Sequence, residues 1–319
     1  MLAYHDGGLP RCARNDGAWS RDDETPSWGL PLSWRRPSIS VLKAVLALGF
    51  VLSRVSQADA AEPQEASFNS LDGTPLKVWV FKPVAPPNGT VIAMHGCGGL
   101  YRTRGKRQGQ LNARHQAMAN LLVDQGYAVV FPDSLRPRGV QELCTQKIGQ
   151  RAITQTERRR DVLATLNWVA TQPWAHANKI ALLGWSHGGS AVLAATESAH
   201  REVAAQTVKP ALAVAFYPGC SAAAKANYQP NTKLILMLGD KDDWTPPAPC
   251  IALGKAVGAE VNVFADSYHD FDNPEGSVKL RKNVPNGINP GQGVHAGANP
   301  AAREKAYARL LGALRTVFD

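Results

Sequence analysis

The segment Gly184-Trp185-Ser186-His187-Gly188-Gly189 has the residue types and the spacing of an activated serine. A serine hydroxyl is a weak nucleophile at neutral pH, so it needs a neighbouring base and a backbone that holds its oxygen clear of the chain. A tight turn from a strand into a helix does this, but it leaves no room for side chains two residues before and after the serine. Glycines occupy both positions. The pattern therefore predicts that Ser186 is a nucleophile.

A histidine that could act as the base follows the last predicted strand. His269 comes shortly after the strand predicted over residues 261–264. A chain order of serine, aspartate and histidine is one of the known orders of a Ser-His-Asp triad. The rival base is His295, but it belongs to a long Gly- and Asn-rich loop far from any strand end, so we expect it to be an ordinary loop histidine.

Three carboxylates compete to orient that histidine, and all follow the strand predicted over residues 234–238. Asp242 stands far enough beyond the strand for its loop to turn toward the histidine, so it is the predicted acid. Asp240 is better placed to brace the turn, and Asp243 to face the solvent. Each could instead cap a helix that starts near Pro246.

A tetrahedral intermediate would need two N–H donors for its oxyanion. The backbone of His187, next after the serine, is one candidate. The other is the N–H of Cys97, in the Gly-rich loop after the strand predicted over residues 90–94. Glycines in that loop would let the backbone approach a substrate.

The elements that must position these residues alternate between short apolar runs and helix-period segments from about residue 75 onward. This alternation predicts an α/β fold with a mostly parallel central sheet and helices on both faces. The predicted strands cover residues 76–81, 90–94, 127–131, 179–183, 211–216, 234–238 and 261–264. The predicted helices cover residues 111–122, 156–171 and 300–317, with a further helix from Ser190.

Bulk composition excludes some classes of partner. The 319 residues are 44% hydrophobic and 19% charged, which is ordinary for a globular domain. The net charge of +9 comes from scattered basic residues without interleaved aromatics. We therefore expect a solvated basic surface and no nucleic-acid partner.

The N-terminal region has the organisation of an export signal. Residues 1–40 cannot build a core, and we expect a non-native or disordered extension there. Residues 41–60 combine Lys43, an apolar run and the small-residue sequence Ala58-Asp59-Ala60, which predicts a signal peptide cleaved near Ala60. The run is too short to span a bilayer, so we expect no stable membrane anchor. The catalytic domain is then residues 61–319, in the periplasm or secreted.

Four motifs together resemble the dienelactone hydrolase family over roughly residues 70–318. They are His95-Gly96-Cys97-Gly98-Gly99, Gly184-Trp185-Ser186-His187-Gly188-Gly189, Gly239-Asp240-Lys241-Asp242 and Tyr268-His269-Asp270-Phe271. The resemblance implies an α/β-hydrolase fold without a large cap domain, and hydrolysis of ester or lactone bonds without a metal or organic cofactor. It places Ser186, Asp242 and His269 in the triad positions. The dienelactone hydrolases that name the family carry cysteine at the nucleophile position, so serine here indicates ester hydrolysis more than a dienelactone substrate.

Resemblance and spacing also suggest how the cysteines of the mature chain pair. Cys97 with Cys144 and Cys220 with Cys250 is the suggested pairing, although four cysteines allow three connectivities. Arg136 and Arg138 follow the strand predicted over residues 127–131, at the edge where ligands bind in such folds. They could hold a substrate carboxylate, or they could simply anchor a loop.

The leading hypothesis is an exported serine hydrolase that acts on a small-molecule ester or lactone through an acyl-enzyme. A serine peptidase of the same fold is the first alternative, and a substrate panel would separate the two. A non-catalytic binding protein that keeps the fold is the second, and a chain without a reactive Ser186 would favour it. The sequence does not determine an oligomeric state.

Overall fold

An eight-stranded sheet forms the centre of the structure, a computed structural model that describes residues 63–103 and 105–319. The extension and signal peptide predicted over residues 1–60 lie outside the described residues. The strands are β1 Gln64–Asn69, β2 Pro75–Phe81, β3 Thr90–Met94, β4 Ala128–Asp133, β5 Ile180–Trp185, β6 Leu212–Phe216, β7 Leu234–Gly239, β8 Glu260–Phe264, β9 Lys279–Arg281 and β10 Val294–Ala296. The helices are α1 Ala113–Asp124, α2 Gln155–Ala170, α3 His187–Thr196, α4 Arg201–Ala204, α5 Ser221–Lys225, α6 Pro247–Val257 and α7 Pro300–Phe318.

The strand order is β1-β2-β4-β3-β5-β6-β7-β8, and only the pairings of β2 with β1 and with β4 are antiparallel. The remaining neighbours are parallel. The predicted α/β architecture with a mostly parallel sheet is thus confirmed. All the parallel strands end at one edge, and the loops that follow β3, β5, β7 and β8 carry the residues with predicted chemistry.

Helices cover both faces of the sheet because each buried strand sends alternate side chains to opposite sides. On β3, Val91 packs in the cluster that holds α1 and α7. Its neighbour Ile92 packs in the cluster that holds α2, α3 and α6. Both side chains are fully buried. The continuous apolar runs of the sequence reflect this two-sided burial.

Two features of the fold were not predicted. β1 is an exposed, polar edge strand, and its sequence QEASFN lacks the apolar run by which the other strands were recognised. β9 and β10 form a two-stranded antiparallel arm within the loop between β8 and α7. The arm contacts the loop after β8 at His269. Ala296 pairs with His269 in a β-bridge, and the N–H of Gly297 donates to the His269 carbonyl at 2.9 Å.

Two disulfides connect loops beside the predicted site. Cys97 bonds Cys144, and Cys220 bonds Cys250, so the suggested pairing is confirmed. The N–H of Leu143 also donates to the Cys97 carbonyl at 2.7 Å, which further ties the loop after β3 to the loop before α2. Within the described part of the chain, no helix combines the length and the apolarity that crossing a membrane requires.

Candidate active site

Ser186 lies on a sharp turn between β5 and α3. Its φ is 54° and its ψ is −118°, a conformation that non-glycine residues rarely adopt. Its N–H donates to the Phe216 carbonyl at the end of β6 at 2.9 Å, and its carbonyl accepts from the Ser190 N–H at 2.9 Å. These bonds on both sides hold the strained backbone in place. Such strain is common where a side chain must be presented to a ligand.

The two predicted glycines are required because other backbone segments approach them closely. A Cβ at Gly184 would lie 2.3 Å from the Gly188 carbonyl oxygen. A Cβ at Gly188 would lie 2.1 Å from the carbonyl oxygen of Met94 and 2.5 Å from that of His95. The helix therefore begins directly at His187, three residues earlier than predicted, and packs its first turn against the loop after β3.

We expect Gly188→Ala to destabilise the protein by about 3 kcal/mol, because the new methyl group meets backbone that cannot turn aside. Gly312→Ala, inside α7, is the control: its Cβ would meet only the tip of Arg309 at 3.8 Å. That change should stabilise by about 0.5–1 kcal/mol, since alanine is the better helix former. Urea unfolding of both variants measures the two effects. Equal stability of the two variants would contradict the proposed close contact.

His269 and Asp242 form a buried hydrogen-bonded pair. The Nδ1 of His269 lies 2.8 Å from Oδ2 of Asp242, and both residues are at most 2% exposed. Asp242 also accepts from the backbone N–H groups of Trp244 and Thr245, at 2.9 and 2.8 Å, and from the Thr245 hydroxyl at 2.9 Å. The rings of Trp244 and Tyr217 pack on the imidazole, with centroids 4.6 and 4.5 Å away. The ring is thereby held in one orientation.

The other two acids of the same loop have different partners. Asp240 accepts from the Ser267 N–H at 3.1 Å, which is the bracing role expected of it. Asp243 is half-buried and does not simply face the solvent, because it accepts from the backbone N–H of His295 at 2.8 Å and lies 2.7 Å from its Nδ1. His295 lies on β10 and is absent from the pocket that Ser186 and His269 share. This second His-Asp pair holds the arm to the acid loop.

The loop after β3 lies directly against Ser186. A Cβ on Gly96 would be 3.5 Å from the Cβ of Ser186. Among the described residues, neither the N–H of Cys97 nor that of His187 donates a hydrogen bond to the protein. Both groups therefore stay available to a bound oxygen. Whether they act as oxyanion donors remains a prediction.

Arg158 of α2 connects the loop after β3 to His187, the first residue of α3, and sequence reasoning did not single it out. It is fully buried, its Nη2 donates to the His95 carbonyl at 2.7 Å, and its Nη1 lies 3.2 Å from Nδ1 of His187. Burial first, and then the charge of Arg158, hold the pKa of both histidines well below the usual value, so both rings are neutral. Burial also lowers the pKa of Arg158 to about 10, so it stays charged at neutral pH. In the sequence, this buried arginine is marked only by its place in the run Arg158-Arg159-Arg160, inside a helix with an apolar face.

Ser186 and His269 line one pocket of about 250 Å³, here called the polar pocket. Arg114 also lines this pocket and is almost fully buried. Its Nη1 donates to the Tyr217 hydroxyl at 2.7 Å and to Oδ1 of Asp270 at 2.6 Å, and it lies 3.8 Å from Asp272. Burial alone would lower the pKa of Arg114, but these three groups outweigh it and raise that pKa. Burial raises the pKa of Asp272. Burial acts in the same direction on Asp270, but nearby positive charges, chiefly that of Arg114, outweigh it and hold the pKa of Asp270 well below its usual value.

A family model of the dienelactone hydrolase family matches residues 76–318, about three quarters of the chain. The chain belongs to the dienelactone hydrolase family. The match covers the serine turn, the acid loop and the histidine loop, as the motif resemblance predicted. Membership makes the chain a hydrolase of the α/β-hydrolase superfamily. No curated protein sequence matches it significantly.

Solved structures, among them some named as dienelactone hydrolases, share the fold at low sequence identity. One assigned as a dienelactone hydrolase from Klebsiella pneumoniae is 14% identical and has a TM-score of 0.58, covering 81% of this chain and 99% of its own. A dienelactone hydrolase-like promiscuous phosphotriesterase from metagenomic libraries is 17% identical with a TM-score of 0.57 and the same coverage. Dipeptidyl peptidase 4 of Porphyromonas gingivalis is 14% identical with a TM-score of 0.51, and the match covers 80% of this chain but only 35% of the peptidase.

Arg136 and Arg138, which the sequence offered as holders of a substrate carboxylate or as loop anchors, contact the protein itself. Arg138 donates to Asp161 at 2.8 Å and to Asp72 at 2.7 Å, so two carboxylates of the protein already occupy it. The guanidinium of Arg136 lies over the Tyr101 ring, 3.7 Å from its centroid. Neither residue lines the polar pocket. Both side chains anchor the loop after β4, which is the alternative that the sequence left open.

In residues 63–103 and 105–319, no cluster of three or more His, Cys, Asp or Glu side chains is arranged to hold a metal ion. The polar groups around the polar pocket are instead engaged with each other, as in the Arg102–Glu275 pair at 2.8 Å.

Proposed function

We propose that this member of the dienelactone hydrolase family is an exported serine hydrolase that cleaves carboxylic ester or lactone bonds through an acyl-enzyme. The observation that carries the proposal is the convergence of a strained, presented Ser186 and a buried His269–Asp242 pair on one pocket. A serine becomes a useful nucleophile only beside an oriented base, and His269, oriented by Asp242, lines the same pocket as Ser186, which supports this role.

In the proposed reaction, His269 takes the hydroxyl proton as Ser186 Oγ attacks the ester carbonyl carbon. The N–H groups of Cys97 and His187 bind the oxyanion of the tetrahedral intermediate. As the carbon–oxygen bond to the alcohol breaks, His269 returns the proton to the leaving oxygen. Water then attacks the acyl-enzyme with His269 again acting as base, which releases the acid and restores Ser186. Asp242 keeps the imidazole in the required tautomer throughout.

Export is the second part of the proposal. It rests on the predicted signal peptide over residues 41–60 and on two disulfides, which persist in oxidising compartments and are rare in the cytosol. Expression of the whole chain in a Gram-negative host, followed by N-terminal sequencing of the protein recovered from the periplasm, tests it. A mature N-terminus at Ala61 is expected. Retention of the whole chain in the cytosol would refute export but not the chemistry.

A fluorophosphonate probe tests the chemistry directly. Such a probe reacts with an activated serine and leaves a stable adduct, so peptide mass spectrometry should find one adduct, on Ser186. A panel of esters, lactones and peptides, measured in parallel, separates an esterase from a peptidase. An unlabelled Ser186 without hydrolysis of any substrate would favour the non-catalytic binding protein instead.

Arg158 is proposed as a positioning residue, because it contacts both the loop after β3, which carries Cys97, and His187 at the start of α3. Arg158→Met should lower kcat by about 10²–10³-fold, the usual cost of losing an oxyanion donor, with KM little changed. The rate of phosphonate labelling should fall in parallel, since the phosphonate also places a negative oxygen in that site. Arg160→Met, on the same helix but paired with Glu202 at 2.8 Å, is the matched control. A folded Arg158→Met protein with the wild-type kcat would remove the role.

A further inference from the structure

Ser186 lies between two clefts of opposite character. On one side is the polar pocket, which also contains His269. On the other is a cleft of about 370 Å³ that we call the apolar cleft, lined among others by Ile148, Ala222 and Pro246. Ser186, Cys97 and Trp244 line both clefts, so the reacting serine lies where they meet.

Most of the surface of the apolar cleft is carbon, although Arg151 and Gln155 also contribute to its lining. Ile148 lines this cleft and is 73% exposed, so its side chain is accessible to a bound group. The helix α5 presents Ala222, which is also exposed. An apolar group bound in this cleft would cover both side chains and remove them from water.

The polar pocket offers hydrogen-bonding groups of both kinds. Each of its three arginines has a carboxylate neighbour, because Arg102 pairs with Glu275, Arg114 pairs with Asp270, and Arg281 lies 3.6 Å from the other oxygen of Asp270. Asn112 and Asn273 add amide donors and acceptors to the lining. A hydroxyl group both donates and accepts, so a lining that offers donors and acceptors suits an alcohol with several hydroxyls.

The position of the base decides which half of an ester enters which cleft. In the proposed reaction, His269 must protonate the leaving alcohol oxygen, so that alcohol has to lie on the His269 side. His269 lines the polar pocket but not the apolar cleft, whereas His187, a proposed oxyanion donor, lines only the apolar cleft. With the carbonyl carbon at Ser186 and its oxygen toward Cys97 and His187, the acyl substituent points into the apolar cleft.

We infer that the substrate is an open-chain ester with an apolar acyl group longer than acetyl and a polar, hydroxyl-bearing alcohol. This inference rests on the proposed serine hydrolase function and adds to it the character of each half of the substrate. Hydrolysis conserves the atoms of the ester and water: the acyl–oxygen bond breaks, the alcohol leaves with the proton from His269, and the apolar acid leaves after water attacks.

Four esters test the inference, with acetyl or hexanoyl as the acyl group and glyceryl or butyl as the alcohol. In a pH-stat assay, kcat/KM should be at least about 10-fold higher for a hexanoyl ester than for the acetyl ester of the same alcohol. It should also be higher for a glyceryl ester than for the butyl ester of the same acid. Ala222→Trp should remove the hexanoyl preference by filling the cleft, and Ile148→Ser should weaken it. Neither variant should change the ratio of glyceryl to butyl esters. Ala224→Trp is the matched control, because Ala224 is exposed on the same helix but does not line the cleft.

The outcomes separate this inference from the proposed function. If wild-type Ser186 takes the phosphonate and the esters are hydrolysed, but acetyl esters are preferred or Ala222→Trp alters only the alcohol preference, the inference is wrong and the serine hydrolase stands. The inference also fails if Ala222→Trp and Ala224→Trp lower all four rates equally. If no ester is hydrolysed and Ser186 takes no phosphonate, the proposed function fails and the inference fails with it.

Discussion

Replacing Ser186 with alanine is expected to lower kcat/KM for ester hydrolysis on the order of 10⁵-fold or more, as in serine hydrolases that lose their nucleophile. Alanine keeps the Cβ and removes only Oγ, so the acyl-enzyme cannot form. The strained backbone at this position is held by hydrogen bonds of main-chain groups, which alanine retains. The melting temperature should therefore stay close to that of the wild type, and hydrolysis of short-chain esters is the measurement.

Ser190 provides the control for this substitution. It lies one turn further along α3, lines the apolar cleft, and its hydroxyl accepts from the Gly219 N–H at 2.8 Å. Ser190→Ala should lose less than about 10-fold in kcat/KM, because a neutral hydrogen bond contributes only about 1 kcal/mol. A Ser186→Ala protein that hydrolyses esters at the wild-type rate, or phosphonate that labels Ser190, would contradict the assignment of the nucleophile.

Replacing Asp242 with asparagine is expected to lower kcat by about 10⁴-fold, the effect of that change in a well-studied Ser-His-Asp triad. The carboxylate accepts from Nδ1 of His269, so the proton sits on Nδ1 and Nε2 is left free to act as base. An asparagine amide can donate to Nδ1 instead, which favours the tautomer with Nε2 protonated and unable to take the serine proton. KM should change little, because Asp242 is buried and does not line the polar pocket.

Two neighbours in the same loop serve as matched controls. Asp240→Asn should keep its bond from the Ser267 N–H, because an amide oxygen also accepts. Asp243→Asn should weaken only the contact of the acid loop with His295. Both variants should retain kcat within about 10-fold, since neither contacts His269. If Asp243→Asn lowered kcat by about 10⁴-fold and Asp242→Asn did not, Asp243 would have to be assigned as the acid instead.

Local sequence patterns were sufficient for the nucleophile turn. Gly184, Ser186 and Gly188 are separated by single residues, and the steric demands of such a turn act within a few residues of it. The alternation of apolar runs and helical segments likewise predicted seven of the eight sheet strands. Five of them, β3 to β7, are buried at every residue, and strands buried on both faces read as apolar runs. The edge strand β1 was missed, since an exposed strand carries no such requirement.

Contacts between distant segments decided the rest of the candidate site. The sequence favoured Asp242 over Asp240 and Asp243 by its distance from the strand end and by motif resemblance, but only the folded loop shows that Asp242 contacts His269 and that the other two acids have different partners. Arg158 lies 63 residues from the carbonyl it binds at His95, and no local pattern marks such a pair.

By itself, the sequence determined which serine is presented, which loops follow the sheet strands and where the histidine and acids occur along the chain. These features depend on steric contacts between residues close in sequence and on the spacing of hydrophobic residues along the chain. The tertiary structure alone showed the contact between Asp242 and His269, the occupation of Arg138 by Asp72 and Asp161, and the position of Ser186 between a polar pocket and an apolar cleft. Those properties arise where parallel strands bring loops from many parts of the chain to one edge, and a linear pattern does not contain the distances between them.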